Sequence, residues 1–226
     1  MKVGVAHFPP WATVTEGKAG GFDPELVDRL LKRIGFKAEF LPMKFSDLLN
    51  GLKSGEIDIA ASLLFRRDRN EYIRYLSPPY RTQSDVRFYA RKSSGIRINK
   101  YIDMAGYKIA ISKGVRYFPV FDMDDRMVKR AYPSQLAAFK ALAEGEVDLA
   151  VCSGVSGEYY IRELGAQNTI RKCLFSYVPR LMPVYIGVSR KSPLMSRTDE
   201  LDQILGSMKE FGVLNELANQ QGVSLH

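Results

Sequence analysis

The chain spells GEIDIA at 55–60 and, ninety positions on, GEVDLA at 145–150. The surroundings repeat as well. FSDLLNGLKS (45–54) precedes the first copy and YPSQLAAFKALAE (132–144) the second, each with Leu or Ala at three- and four-residue steps behind a serine, Ser46 or Ser134. A serine so placed accepts hydrogen bonds from the first free amides of a helix, and the apolar spacing gives that helix one buried face. Gly55 and Gly145 follow, the residue type that ends a helix in the left-handed conformation without a Cβ clash. IDIAAS and VDLAVCS then read as short apolar runs, the pattern of strands covered on both faces. Asp58 and Asp148 head these runs and read as structural turn residues, not as ligands. The repeated unit is helix, glycine stop, buried strand, and two copies predict two similar α/β lobes.

Working outward, KVGVAHF reads as a strand, PPW as a turn and GKAGGFD as a Gly-rich loop. PELVDRLLKRIGF reads as a helix with Pro24 in its first turn and Gly35 at its end. KAEFLPM supplies a second strand before the first repeat. Alternation of strand and helix means right-handed crossovers and a parallel sheet. Two long strands, near 84–90 and 184–189, flank a complete second α/β unit. That pattern predicts an inserted lobe: lobe one is 1–86 plus 187–226, lobe two is 87–186, and the crossing strands form a hinge. Ligands of open α/β sheets sit beyond the carboxyl ends of the strands, so the expected site is the cleft where two such lobes face each other. GYKIAISKGVRY (106–117) reads as a strand, a Lys-Gly loop and a helix start.

Composition sets limits on the function. With 226 residues, 46% hydrophobic and 26% charged, the chain has the make-up of a soluble globular protein. No run of 18 apolar residues occurs, so no membrane-spanning helix is expected. A net charge of +8 and a pI near 9.4 invite a nucleic-acid partner. Lys and Arg are spread along the chain, however, and the densest patch, FRRDRNEYIR (65–74), is interrupted by acids; no nucleic acid is expected. Cys152 and Cys173 lack CxxC spacing and a His cluster, so they read as buried thiols, with a bridge left open in an oxidising compartment. His7 and His226 give no metal signature, and neither metal nor cofactor is expected. The opening MKVGVAHFPPW reads directly as strand and turn, which leaves both a removed leader or anchor and a cytosolic start open.

FPPW (8–11), GGFDPELVDRLLKRIGFKAEF (20–40), LLNGLKSGEIDIAAS (48–62) and RDRNEYIRYLSPPY (67–80) resemble, in order, the family 3 extracellular solute-binding proteins. MAGYKIAISKGVRY (104–117), SQLAAFKALAEGEVDLAV (134–151), VYIGVSRKSPLM (184–195) and KEFGVLNEL (209–217) continue the likeness over nearly the whole chain. The resemblance implies the two-lobed type 2 periplasmic binding protein fold, with two parallel-rich sheets joined by two crossing hinge strands. It implies a periplasmic or extracellular protein, with a lipid anchor left open, that captures a small-molecule solute for the permease of an ABC importer and catalyses nothing; the residues give no reason to expect an oligomer, so a monomer is expected. Hinge closure on the solute is the implied mechanism.

Residue by residue, the resemblance places Phe8, with Trp11 behind it, and Phe45 against the ligand. Ser62 and Leu63 occupy the segment that holds a ligand carboxylate. The carboxylate-clamping arginine matches Arg69, with Arg66 a rival one-residue shift away; an arginine fork suits this task through two parallel hydrogen bonds. In lobe two, Lys113 and Arg116 flank a loop whose amides suit an anionic group. Ser153 stands where the amino-acid binders carry an Asp for the ligand ammonium. This departure and the more apolar Ser62–Leu63 segment argue against a standard polar amino acid and for an anionic or carboxylate ligand; the expected solute is a small polar or anionic molecule, an amino acid or related carboxylate. Two rival readings accompany this one. The first is the ligand-sensing domain of a membrane receptor such as a sensor kinase, partnered by its own membrane-anchored signalling domain. The second is a cleft enzyme of the cyclohexadienyl dehydratase type, which the lack of a poised acid or base disfavours.

Overall fold

Apolar alternation at the N-terminus forms β1 (Lys2–Val5), and the computed structural model describes residues 1–178, 182–223 and 225. His226 lies outside the described residues. The chain divides into two units, Met1–Gln83 with Leu181–His226, and Ser84–Arg180. The first unit continues with β2 (Thr13–Thr15), β3 (Lys18–Gly20), α1 (Phe22–Arg33), β4 (Glu39–Pro42), α2 (Phe45–Ser54), β5 (Ile59–Leu64), β6 (Ile73–Tyr75) and β7 (Arg81–Thr82). The second holds β8 (Val86–Arg91), β9 (Lys108–Ser112), α3 (Pro119–Met123), β10 (Val128–Tyr132), α4 (Gln135–Glu144), β11 (Leu149–Ser153), α5 (Gly154–Glu163) and β12 (Ile170–Tyr177). The chain re-enters the first unit with β13 (Pro183–Ser189), α6 (Thr198–Glu210) and α7 (Val213–Gln220).

The two sheets repeat one plan. The first runs β4-β1-β5-β13-β6, with β7 also paired to β13; the second runs β10-β9-β11-β8-β12. In each, a central strand pairs in parallel with both neighbours, β1 with β4 and β5, and β9 with β10 and β11. In each, the strand of the repeated motif then meets an antiparallel partner, β5 against β13 and β11 against β8. Both faces of the second sheet are packed. Phe88, Phe121, Leu149 and Val151 fill one side; Tyr89, Phe139, Leu142 and Ala150 fill the other.

The repeated motif has a physical task. The Asp58 amide donates to the Lys2 carbonyl at 2.9 Å, and its carboxylate accepts the Lys2 amide at 2.8 Å. The Asp148 amide donates to the Lys108 carbonyl at 2.9 Å, and its carboxylate accepts the Lys108 amide at 2.8 Å. Each acid therefore adds a rung at the entry of the central strand, where a side chain of ordinary length would leave that amide unpaired. Asp58→Ala and Asp148→Ala are each expected to lower stability by about 0.5–1.5 kcal/mol, the net worth of one hydrogen bond at an exposed amide. Urea midpoints at unchanged slope provide the check. Gly55 and Gly145 end their helices at φ 91° and 89°, with their amides on the Gly51 and Ala141 carbonyls.

Two local expectations are corrected. Ser134 caps α4, its Oγ accepting the Ala137 amide at 3.1 Å, but Ser46 does not cap α2. The Lys44 carbonyl already accepts the Asp47 and Leu48 amides, so the helix starts at Phe45 and the Ser46 hydroxyl donates to Asp47. The expected helix start after Lys113 is also absent. Gly114, at φ 80°, turns the chain, residues 115–118 are irregular, and α3 begins only at Pro119, whose fixed φ suits the first helical position. The cysteines are free and buried on opposite faces of the second sheet, Cys152 beside Tyr89 and Cys173 beside Phe88. Burial pushes the Cys152 thiol up to about 12 and that of Cys173 to about 11.

Candidate functional site

Beyond the carboxyl end of β1 the chain closes a tight loop: the Phe8 amide donates to the Ala12 carbonyl at 2.8 Å and the Ala12 amide to the Phe8 carbonyl at 3.0 Å. Gly21 then lets α1 start directly against this loop. Its φ is 96°, and a Cβ there would sit 2.9 Å from the Trp11 carbonyl oxygen. The result is a cavity of about 240 Å³ within the first unit. Its walls are apolar: Val3 and Val5 of β1, Pro24 and Val27 of α1, Phe45 and Leu48 of α2. Phe8 and Phe45, 46% and 43% exposed, also line it, as do His7, Asp23 and Ser62. This is where open α/β sheets bind ligands.

The polar end of the cavity is a closed ring of side chains. The Ser62 hydroxyl donates to Asp23 Oδ2 at 2.5 Å and the Tyr80 hydroxyl to Asp23 Oδ1 at 2.8 Å. Arg81 completes it, Nη2 donating to Ser62 Oγ at 2.8 Å and Nε to Tyr80 Oη at 3.3 Å. Its guanidinium also lies 4.1 Å from the Trp11 ring centre. Two hydroxyls thus relay a buried cation to a buried carboxylate. Burial pushes the Asp23 carboxyl up; Arg81, Ser62 and Tyr80 oppose that rise. Ser62 holds φ at 59°, a strained value for a residue with a side chain, and its amide is bonded to Tyr80 Oη at 3.1 Å.

The expected site residues separate into groups. Phe8, Phe45 and Ser62 meet at the cavity, and the Arg69 guanidinium sits 5.7 Å from the Phe45 ring centre, a cation–π distance. Arg66 instead pairs with Asp68 at 3.0 Å on an exposed turn. Trp11 and Leu63 are turned into the core, 2% and 0% exposed, so neither side chain offers a surface to a solute. Trp11 packs edge-on against Phe22, and Leu63 packs with Leu48, Ile73 and Tyr75. Asp23, Tyr80 and Arg81 escaped the sequence reading. No sequence signal joined Asp23 to Arg81.

In the second unit, Lys113 and Arg116 are exposed on the loop that Gly114 turns. Ser153 ends β11 and caps α5; its Oγ accepts the Ser156 amide at 3.2 Å and donates to Ser156 Oγ at 2.7 Å. An acid does stand beside it, supplied by Asp85, the residue just before β8. Register pairs Ser153 with Val86, the Gly154 amide donates to the Asp85 carbonyl at 2.9 Å, and a Cβ on Gly154 would lie 2.5 Å from Asp85 Oδ1. The Asp85 carboxylate therefore covers the start of α5, where the helix dipole favours negative charge, and it also pairs with Arg87.

His7 carries a pH dependence. Its Nδ1 accepts the Val14 amide at 3.0 Å, so the neutral ring bears its proton on Nε2, and burial holds its pKa below the ordinary 6.5. The unfolded chain then takes the proton first. The stability from this group is whole above pH 6.5 and drains as pH falls toward the folded value. The midpoint of the first unit is expected to fall between pH 7.5 and 5.5, and His7→Gln to flatten that slope.

Among the described residues no helix is long and apolar enough to cross a membrane, and no cluster of three metal-ligating side chains occurs. Among known proteins, the chain is 28% identical over 116 residues to a "Probable histidine-binding protein" of Campylobacter jejuni subsp. jejuni, covering 50% of this chain and 44% of that one. It is 26% identical over 143 residues to the L-cystine-binding protein TcyJ of Escherichia coli K12, covering 62% and 53%. The chain thus spans about half the length of these two relatives. A solved histidine kinase sensor domain with similarity to periplasmic binding proteins superposes with a TM-score of 0.76 at 21% identity, covering 100% of this chain and 96% of that one. The fold is that of the periplasmic binding proteins. With the family model matched across residues 1–222, the chain belongs to the bacterial extracellular solute-binding proteins, family 3.

Proposed function

We propose that this chain captures a small polar or anionic solute, an amino acid or related carboxylate, outside the cytoplasm and presents it to the permease of an ABC importer. The observation that carries the reading is the cavity at the carboxyl end of β1, with Phe8 and Phe45 exposed on it and Arg69 over Phe45. An arginine beside an apolar recess suits a molecule with a carboxylate at one end. In this reading the two units act as lobes, and Ser153, Lys113 and Arg116 are the second lobe's candidate contacts. The protein works as a monomer in the periplasm or at the cell exterior, with or without a lipid tether. In this reading the chain binds and does not catalyse; Asp23, the carboxyl at the cavity, has each oxygen engaged by a neighbouring hydroxyl.

The likeness to a kinase sensor domain supports one second reading, the sensing domain of a membrane receptor. Both readings share one test. Amino and carboxylic acids at about 100-fold excess over Kd are expected to raise the melting midpoint through about 2.7 kcal/mol of linkage. Arg69→Met is expected to abolish the shift while leaving the unliganded midpoint in place. A flat screen overturns the binding reading. Co-purification with permease subunits or with a kinase then separates the two roles.

A further inference from the structure

We propose that the cavity of the first unit takes the uncharged ring of a solute whose carboxylate lies against Arg69, so that the solute is a carboxylic acid with an aromatic or bulky apolar side chain. The inference rests on the solute-binding reading and narrows its class. Four observations carry it.

The walls come first. Val5, Pro24, Val27, Leu48 and Ala61 offer no hydrogen-bond partner from their side chains, and Phe8 and Phe45 add two ring faces. Size is the second: a cavity of roughly 150 Å³ lined by apolar side chains holds benzene, and this one, at about 240 Å³, has room for a ring with a short stem.

The third concerns Asp23, the acid on the cavity. Its Oδ1 and Oδ2 receive the hydroxyl protons of Tyr80 and Ser62, and Arg81 stands behind both hydroxyls. The carboxylate charge is already balanced by Arg81 through the two hydroxyls, so an entering guanidinium or ammonium finds a counter-charge that is shared. A cation there would leave water without a counter-charge of its own, which is unfavourable in an apolar recess. An acidic side chain would likewise find no free cation, because Arg81 is already bonded to both hydroxyls. The fourth is His7, whose Nδ1 is engaged by the Val14 amide. The ring can offer the cavity one neutral N–H donor at Nε2, suited to a phenol or carbonyl oxygen and not to a cation.

Titration calorimetry of the intact chain with L-phenylalanine, L-arginine and L-glutamate tests the proposal. L-phenylalanine is expected to bind at least about tenfold more tightly than either charged amino acid, the scale set by burying one large apolar side chain. Phe45→Ala, at an exposed position, is expected to weaken L-phenylalanine about tenfold, and Ala61→Phe to block it by filling the cavity from β5. If Ala61→Phe fails to fold, Phe45→Ala carries the test alone. Equal or tighter binding of L-arginine or L-glutamate overturns the inference and leaves the solute-binding reading standing. Binding of L-phenylalanine that Phe45→Ala does not weaken also overturns it, since the ring then lies elsewhere. Absence of binding by all three, together with a flat screen of other amino and carboxylic acids, overturns both.

Discussion

Arg81→Met is expected to cost about 3–5 kcal/mol, the penalty for removing one partner from a buried charge arrangement. The side chain is 5% exposed and holds two hydroxyls in the orientation from which they donate to Asp23. Without it, Asp23 keeps both hydrogen bonds but loses the cation that offsets its burial. Asp23→Asn removes the charge from the other side and leaves a buried guanidinium beside Trp11. Each single change is expected to lower Tm by roughly 10 °C in a chain of this size. The double variant, with neither charge, is expected to lose less than the sum, because the desolvation penalty disappears with the pair. Trp11, the one tryptophan of the chain, lies against Arg81, so its fluorescence reports unfolding of this unit directly. Single losses below about 1 kcal/mol, or strict additivity in the cycle, would show that the ring is not a coupled network.

The same ring marks where reading the sequence stops. GEIDIA and GEVDLA were legible as a repeat because the work they do is local: a glycine ends a helix, and an acid three residues on clasps the next strand. Phe8, Phe45 and Ser62 were named through the family resemblance, and the structure brings the three to one cavity. Asp23, Ser62, Tyr80 and Arg81 form one unit only after α1, β5 and β7 have packed, and no periodicity joins positions 23 and 80. Asp85 was hidden for a similar reason, since strand register and not sequence distance sets it beside Ser153. Ser46 failed as a cap because α2 begins two residues earlier than a Ser46 cap would set it, on the Lys44 carbonyl. Past Lys113, the informative residue was Pro119 and not the Lys-Gly pair, because proline fixes the first helical φ. Trp11 and Leu63 were expected at the ligand, but alternation along a strand and the turn of a loop send their side chains to the core.

Gly157→Ala is expected to cost about 3 kcal/mol, although alanine is the better helix former by about 1 kcal/mol. A Cβ at this position of α5 would lie 2.1 Å from Tyr89 Oη and 2.3 Å from Cζ. Tyr89 cannot retreat. It is fully buried, its ring centre is 5.0 Å from that of Phe139 in α4, and its hydroxyl donates to the Gly154 carbonyl at 3.1 Å. Relief must come from lifting α5, which carries Ser153 and Gly154 at its start. The amides of α5 are therefore expected to exchange faster in Gly157→Ala than those of α4, which stays packed on β9 and β11. Tyr89→Leu, which empties the space the new methyl needs, is expected to restore part of the loss in the double variant. Tyr89→Phe is not, because Cζ remains in place. A neutral or stabilising Gly157→Ala, or equal rescue by leucine and phenylalanine, would mean that α5 stands farther from β8 than this contact requires.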